Sequence, residues 1–134
     1  MRNEAKEHYV QRLADAEEFL ESASVNFVDR RFKAAVDNAA DAAIAANDAF
    51  TIWSIQKVAT SDHLEAIKLH KEAGSRIHEN KSFLLSSLLD MRHIKAYTPA
   101  VASKADAELA LRYSEAFVGW VKEKIEEDKG MHQA

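Results

Sequence analysis

Apolar residues recur along most of the chain with the three- and four-residue spacing of amphipathic α-helices. The most apolar segment, residues 30–58, has no glycine or proline and is rich in alanine, the strongest helix former. One apolar row crosses it, made by Phe32, Val36, Ala39, Ala43, Ala46, Phe50 and Trp53. Ile44, Ile52 and Ile55 lie on the other side among aspartates. The pattern predicts a central helix packed on two faces, one against its own chain and one against a second subunit.

Four further helices are predicted, over residues 3–26, 63–73, 82–96 and from 103 to about 127. The first joins the central helix through a short polar turn, which predicts an antiparallel hairpin. The predicted core positions of the last three helices are Leu64 and Ile67; Phe83, Leu84, Leu85, Leu88, Leu89 and Met91; and Leu109, Tyr113, Ala116 and Trp120.

Residues that favour helix ends separate these segments. The predicted N-caps are Asp29, Thr60 or Ser61, and Ser103. Ser103 and Asp106 together form a variant capping box. Gly74 is a predicted C-cap, because glycine accepts the left-handed conformation that often ends a helix.

Composition narrows the class of protein. Three glycines and one proline in 134 residues leave too little turn chemistry for many strands, so we predict one all-α domain over residues 1–134 with a frayed tail at 128–134. The net charge of −4 argues against a generally basic nucleic-acid binder. The chain has no cysteine, no apolar leader and no apolar run long enough for a membrane. We therefore expect a cytoplasmic protein.

Arg92 is the residue of greatest interest, because it continues a leucine row of the fourth predicted helix seven residues after Leu85. An unpaired buried charge is very costly, so this guanidinium needs an anion. One interpretation is an internal ion pair with an aspartate of the second helix. The other is contact with phosphate or RNA, which the guanidinium fork fits. Tyr97 lies about 140° away around a regular helix, so the two share a site only if the helix ends between them or a partner chain contributes.

Asp48 and His63 are the other candidates. Three aspartates share one side of the second predicted helix, usually a solvated face, but Asp48 lies in the apolar run IAANDAF and could act as a general base. His63 and His70 share a side of the third helix, yet no HExxH or similar pattern accompanies them. We therefore predict no metal site and no cofactor. Basic residues that could hold an RNA backbone despite the acidic total are Lys68, Lys71, Arg92, His93 and Lys95.

Several stretches of the sequence resemble the HEPN family of small helical-bundle proteins. The most specific are IAANDAF, SDH at the entry to the third helix, and the segment from Arg92 to Tyr97 within LLDMRHIKAY. The similarity covers about residues 5–127. It implies a four- to five-helix up-and-down bundle, usually a homodimer, with an RNA- or nucleotide-related role.

Many HEPN proteins are metal-independent ribonucleases, often toxins paired with a minimal nucleotidyltransferase antitoxin. Their motif is an arginine followed, after four to six residues, by a histidine. Arg92 matches the arginine, but Tyr97 stands in the place of the histidine, and His93 is adjacent to Arg92 and cannot fill that place. A tyrosine, with a pKa of about 10, is a poor base beside a histidine of about 6.5. The tyrosine near this motif can also be the antitoxin's modification target.

The resemblance thus implies an RNA- or nucleotide-binding protein of a toxin–antitoxin or defence pair, dimerising through its second and fourth helices. Arg92 would contact phosphate and Tyr97 would position or stack on the ligand. Asp48 and His63 would orient Arg92 or line the cleft, and Lys95 would add positive charge. Two alternatives stay open. One is a dimeric endoribonuclease using Arg92 and Tyr97 of both chains; the other is a bundle that only docks a partner protein, with Arg92 fully paired inside the chain.

Overall fold

A computed structural model describes residues 1–97 and 101–133, with side chains for residues 1–92 and 101–129. The α-helices of this part are α1 (Tyr9–Val28), α2 (Phe32–Ile55), α3 (His63–Ser75), α4 (Ser82–Tyr97) and α5 (Lys104–Gln133). A two-residue strand, β1 (Arg2–Asn3), pairs antiparallel with β2 (Lys57–Val58), and a 3-10 turn over Lys6–His8 leads into α1. The all-α prediction is confirmed. No helix of the described residues is both long and apolar enough to cross a membrane.

Helix α2 lies at the centre of the bundle and contacts each of the other four α-helices just described. Its alanines keep the side chains short, so neighbouring backbones come close. The Ser114 hydroxyl of α5, for example, donates to the carbonyl of Ala39 at 2.8 Å. Ile52 is fully buried within its own chain. The prediction that the isoleucine side of α2 meets a second subunit is therefore wrong at this position.

Helices α1 and α2 form the predicted antiparallel hairpin. Near the turn, the Asn26 side-chain amide donates to Asn38 Oδ1 at 2.7 Å. The turn itself differs from the prediction, because the Asp29 N–H still bonds to the Val25 carbonyl and Asp29 ends α1 rather than capping α2. Arg31 occupies the N-cap position of α2 and makes no capping hydrogen bond with its side chain.

Helix α3 begins at a different cap from the one predicted. Asp62 is the N-cap, and its carboxylate accepts the Glu65 N–H at 3.0 Å. Thr60 and Ser61 instead donate to the Glu65 carboxylate, which holds the loop before α3. This loop forms one wall of the cavity described below.

Two large apolar side chains predicted in the core lie outside it. Leu64 is 77% exposed on α3 and Phe83 is 70% exposed on α4. Leu64 lies two residues before Ala66, which lines the cavity described below, and Phe83 lies two residues before the buried Leu85. Because two residues correspond to about 200° around a helix, Leu64 and Phe83 lie on the opposite side from these positions. The buried row of α3 is Leu69, His70, Ala73 and Gly74, and that of α4 is Leu85, Leu88 and Leu89.

Helix α5 begins as predicted and continues further than predicted. Ser103 and Asp106 form the reciprocal capping box, with the Asp106 N–H donating to Ser103 Oγ and the Ser103 N–H to Asp106 Oδ2. Its buried face is displaced from the predicted one: Leu109 and Ala116 are exposed, whereas Ala110 and Phe117 are buried. The helix runs to Gln133.

Candidate functional site

Asp48 and His63 line one cavity of about 190 Å³ where α2, α4 and the loop before α3 meet. Its apolar wall includes Ile44 of α2 and the α4 residues Leu85 and Leu89. His63 is exposed and stands at the rim. The other residues of the lining are Asn47, Ala59, Thr60, Ser61, Asp62 and Ala66. The cavity therefore combines an aliphatic wall with a polar loop.

Asp48 is the less exposed of the two aspartates that line this cavity, and Arg12 forms an ion pair with it. Its side chain is 14% exposed, and Arg12 Nη1 of α1 donates to Oδ2 at 3.1 Å. Burial raises the pKa of Asp48 to about 6, and the Arg12 guanidinium opposes that rise. Arg12 was not predicted as part of the site. Arg12 lies in the first turn of α1, and a polar residue there gives no sign of this role in a single sequence.

Behind the cavity, His70 connects α2, α3 and the segment before α4. The Lys81 N–H donates to His70 Nε2 at 2.9 Å, so Nδ1 carries the proton and donates to Asn47 Oδ1, also at 2.9 Å. The Asn47 amide then donates to the Ala66 carbonyl at 3.2 Å. His70 is fully buried, and this burial lowers its pKa to about 4. His63 and His70 are seven residues apart in α3 and so lie on one side of it, as predicted. They differ in burial, because His63 at the first residue of the helix is exposed whereas His70 lies in the core.

Arg92 pairs with an aspartate of α2, as one of the two interpretations expected. Its Nη1 donates to Asp41 Oδ1 at 2.6 Å. The pair is only partly buried, with side chains 35% and 29% exposed. Arg92 lies one turn beyond Leu89 on α4, and Asp41 lies two turns before Asp48 on α2, so the pair stands beside the cavity rather than within its lining.

A family model for the HEPN domain matches residues 9–124 of this chain. The chain belongs to the HEPN family. No curated protein matches it. HEPN domains are generally linked to RNA binding and ribonuclease-like functions, which agrees with the resemblance seen in the sequence.

Two residues of the predicted HEPN site fall outside the described part. The side chains of Lys95 and Tyr97 are not among those described, although the backbone of α4 reaches Tyr97. Lys68 and Lys71 are exposed on α3. Among the described residues there is no group of three or more acidic or histidine side chains that could hold a metal ion.

The opposite pKa shifts of Asp48 and His70 predict how the stability of this HEPN domain changes with pH. Neutral His70 contributes stability that is complete above pH 6.5 and is lost as the pH falls through about 4. Protonated Asp48 contributes stability that is complete below pH 3.8 and is lost as the pH rises through about 6. In wild type the two effects oppose each other between pH 4 and 6.

Asp48→Asn removes one of these effects. On going from pH 7 to pH 4, the variant should lose about 3 kcal/mol more free energy of unfolding than wild type. Urea denaturation of both proteins across this range measures the difference, and other carboxylates affect both proteins alike. Parallel pH profiles for the two proteins would contradict the raised pKa of Asp48.

Proposed function

We propose that this HEPN protein binds RNA or a nucleotide, with Arg92 contacting phosphate beside the Asp48–His63 cavity. The observation that carries the proposal is the partly exposed Arg92–Asp41 pair. Asp41 holds the guanidinium through one Nη1 hydrogen bond, and a guanidinium has five N–H donors in all. The remaining donors are thus held in a fixed direction and suit the oxygens of a phosphate.

The partial exposure of the pair favours this role over a purely structural one. Removing one member of a fully buried ion pair is costly, because the other charge is left buried without a partner. An ion pair that is about one-third exposed on both sides contributes only about 0–1 kcal/mol. Little of the fold's stability depends on Arg92, which leaves ligand contact as its better-supported use.

The biological setting we propose is a toxin–antitoxin or defence pair, with a nucleotidyltransferase antitoxin as the partner and a homodimer as the working form. The support is the HEPN assignment and an apolar surface on α4 and α5. Phe83 is mostly exposed and packs edge-on against Tyr113 at a ring distance of 6.2 Å. Leu109, four residues before Tyr113 on α5, is also exposed. This surface is available to a second copy, whereas the isoleucine side of α2 is largely covered by its own chain.

Arg92→Lys tests the RNA contact while keeping the positive charge. We expect the affinity for a short fluorescent single-stranded RNA, measured by anisotropy at fixed low salt, to fall by about tenfold or more, because lysine cannot reproduce the fork geometry. Arg92→Ala should weaken binding at least as much while shifting the melting temperature by only a few degrees.

The matched control is Arg76→Lys, at the exposed C-cap of α3 and ten residues from Ala66 of the cavity. It should bind RNA like wild type. Unchanged affinity in Arg92→Lys would contradict the proposal. Incubating the same RNA with the protein in EDTA tests the alternative of a metal-independent ribonuclease. Cleavage by wild type that is lost in Arg92→Ala would show catalysis rather than binding alone.

A further inference from the structure

The cavity beside Arg92 presents one carboxylate oxygen that the fold does not use. Arg12 engages Asp48 Oδ2, and within the described part of the chain no hydrogen bond is made by Asp48 Oδ1. Two neighbouring polar side chains already hold the structure: the Asn47 side chain bonds to His70 and Ala66, and Asp62 Oδ1 caps α3. The cavity therefore offers a hydrogen-bond acceptor beside an aliphatic wall.

The carboxylate and the aliphatic wall determine which part of a nucleotide can enter the cavity. A phosphate would face the Asp48 carboxylate and be repelled, so the phosphate stays outside, toward Arg92. A flat ring with N–H donors on its edge suits both the acceptor and the apolar wall, because unpaired bases are recognised by contact with their faces and by hydrogen bonds to their Watson–Crick edges. The cavity of about 190 Å³ is smaller than the roughly 300–1,000 Å³ of pockets that enclose drug-sized ligands. It suits a single base rather than a whole nucleotide.

We propose that this cavity holds a guanine base, with the Asp48 carboxylate accepting hydrogen bonds from the guanine N1–H and the 2-amino group. Guanine is the RNA base whose Watson–Crick edge carries two adjacent N–H donors, and a carboxylate has two acceptor oxygens to meet them. Arg12 fixes the orientation of the carboxylate from the α1 side and still leaves acceptor capacity on Oδ2. Ile44 and Leu89 contact one face of the ring, and His63 covers it at the rim.

The spacing of the elements connects this base site to Arg92. Leu89 lines the cavity, and Arg92 follows it by three residues, a rise of about 4.5 Å along α4. A nucleotide whose base lies in the cavity thus presents its phosphate toward the guanidinium. The inference rests on the proposed function and adds to it the identity of the base.

The experiment compares short oligouridylates that carry one central guanosine, inosine or adenosine, together with free GMP as a competitor. Inosine lacks only the 2-amino group. Wild type should bind the guanosine oligonucleotide about tenfold more tightly than the inosine one, because one hydrogen bond to a charged acceptor is lost. Binding of GMP to protein that binds none of the oligonucleotides would identify a free nucleotide as the source of the base.

Asp48→Asn should change the base preference of the protein, which a merely structural role of Asp48 would not do. An asparagine presents one acceptor and one donor, which matches the N1 and 6-amino edge of adenine and opposes the two donors of guanine. The preference should invert toward the adenosine oligonucleotide. The matched control, Asp37→Asn, makes the same chemical change on α2 at an aspartate paired with Lys33, and it should keep the preference of wild type.

The outcomes distinguish this inference from the proposed function. Equal affinity of wild type for the three oligonucleotides, with binding still dependent on Arg92, would overturn the guanine site and leave the RNA-binding proposal intact. An unchanged preference in Asp48→Asn, in protein whose melting curve shows it to be folded, would also overturn the site. If neither an oligonucleotide nor GMP binds to wild type, both proposals fail.

Discussion

Replacing His70 by alanine should lower the free energy of unfolding by about 3–5 kcal/mol. The ring is fully buried, and its centroid lies 5.1 Å from that of Phe50 and 5.4 Å from that of Phe117. Its loss leaves a cavity among these aromatic rings. It also removes the partners of the Asn47 side chain and the Lys81 N–H, and buried polar groups without a partner carry their full desolvation cost.

Urea denaturation at pH 7 measures this loss, and His63→Ala is the matched control on the same helix. His63 is exposed, so its substitution should change the free energy of unfolding by no more than about 0.5 kcal/mol. A loss below about 1 kcal/mol in His70→Ala would show that the ring does not connect α2, α3 and the segment before α4.

Gly74→Ala should be the other strongly destabilising change, with a loss of about 1–3 kcal/mol. A Cβ atom at Gly74 would lie 2.5 Å from the Glu79 carbonyl oxygen and 2.8 Å from the Asn80 Cβ. The backbone of this turn cannot yield easily, since the Gly74 carbonyl also accepts the N–H groups of Ile77 and Glu79. Gly74 is required for this close approach, inside α3, and not for the predicted C-cap.

Gly119→Ala provides the opposite result in the same assay. Gly119 lies within α5, and a Cβ there meets no atom within 4 Å. Because glycine inside a helix is less stable than alanine, this variant should gain up to about 1 kcal/mol. If Gly74→Ala were as stable as wild type, the turn after α3 would be packed differently from the structure.

The sequence predicted the helices and their order because apolar spacing is a strong local signal. Which side of a helix is buried was harder to predict. On α5, large residues such as Leu109 suggested one face, but the face that meets α2 uses Ala110 and Ser114. Two helix backbones can approach closely only where the side chains between them are small. The hydrogen bond from Ser114 to the Ala39 carbonyl depends on this close approach. A pattern weighted by hydrophobicity alone misses such contacts.

The candidate site was predictable in part. Arg92 was expected to find an aspartate of α2, and the cost of an isolated charge was sufficient reason to expect it. Its partner, Asp41, and the distance of that pair from Asp48 depend on how α4 is placed along α2, which no local pattern contains. The burial of His70 could not be predicted either, because the local sequence around a histidine in the middle of a helix is the same whether the side chain faces water or a core.

The most direct test of the central claim is to map where RNA contacts the protein. Amide NMR spectra of labelled wild type, recorded as single-stranded RNA is added, report this residue by residue. We predict shifts at Arg92 of α4 and at Asp48, His63 and Leu89 of the cavity, with none at Glu18 on the exposed acidic side of α1. Shifts confined to residues away from the cavity and α4, or no shifts at all, would contradict the proposed RNA contact.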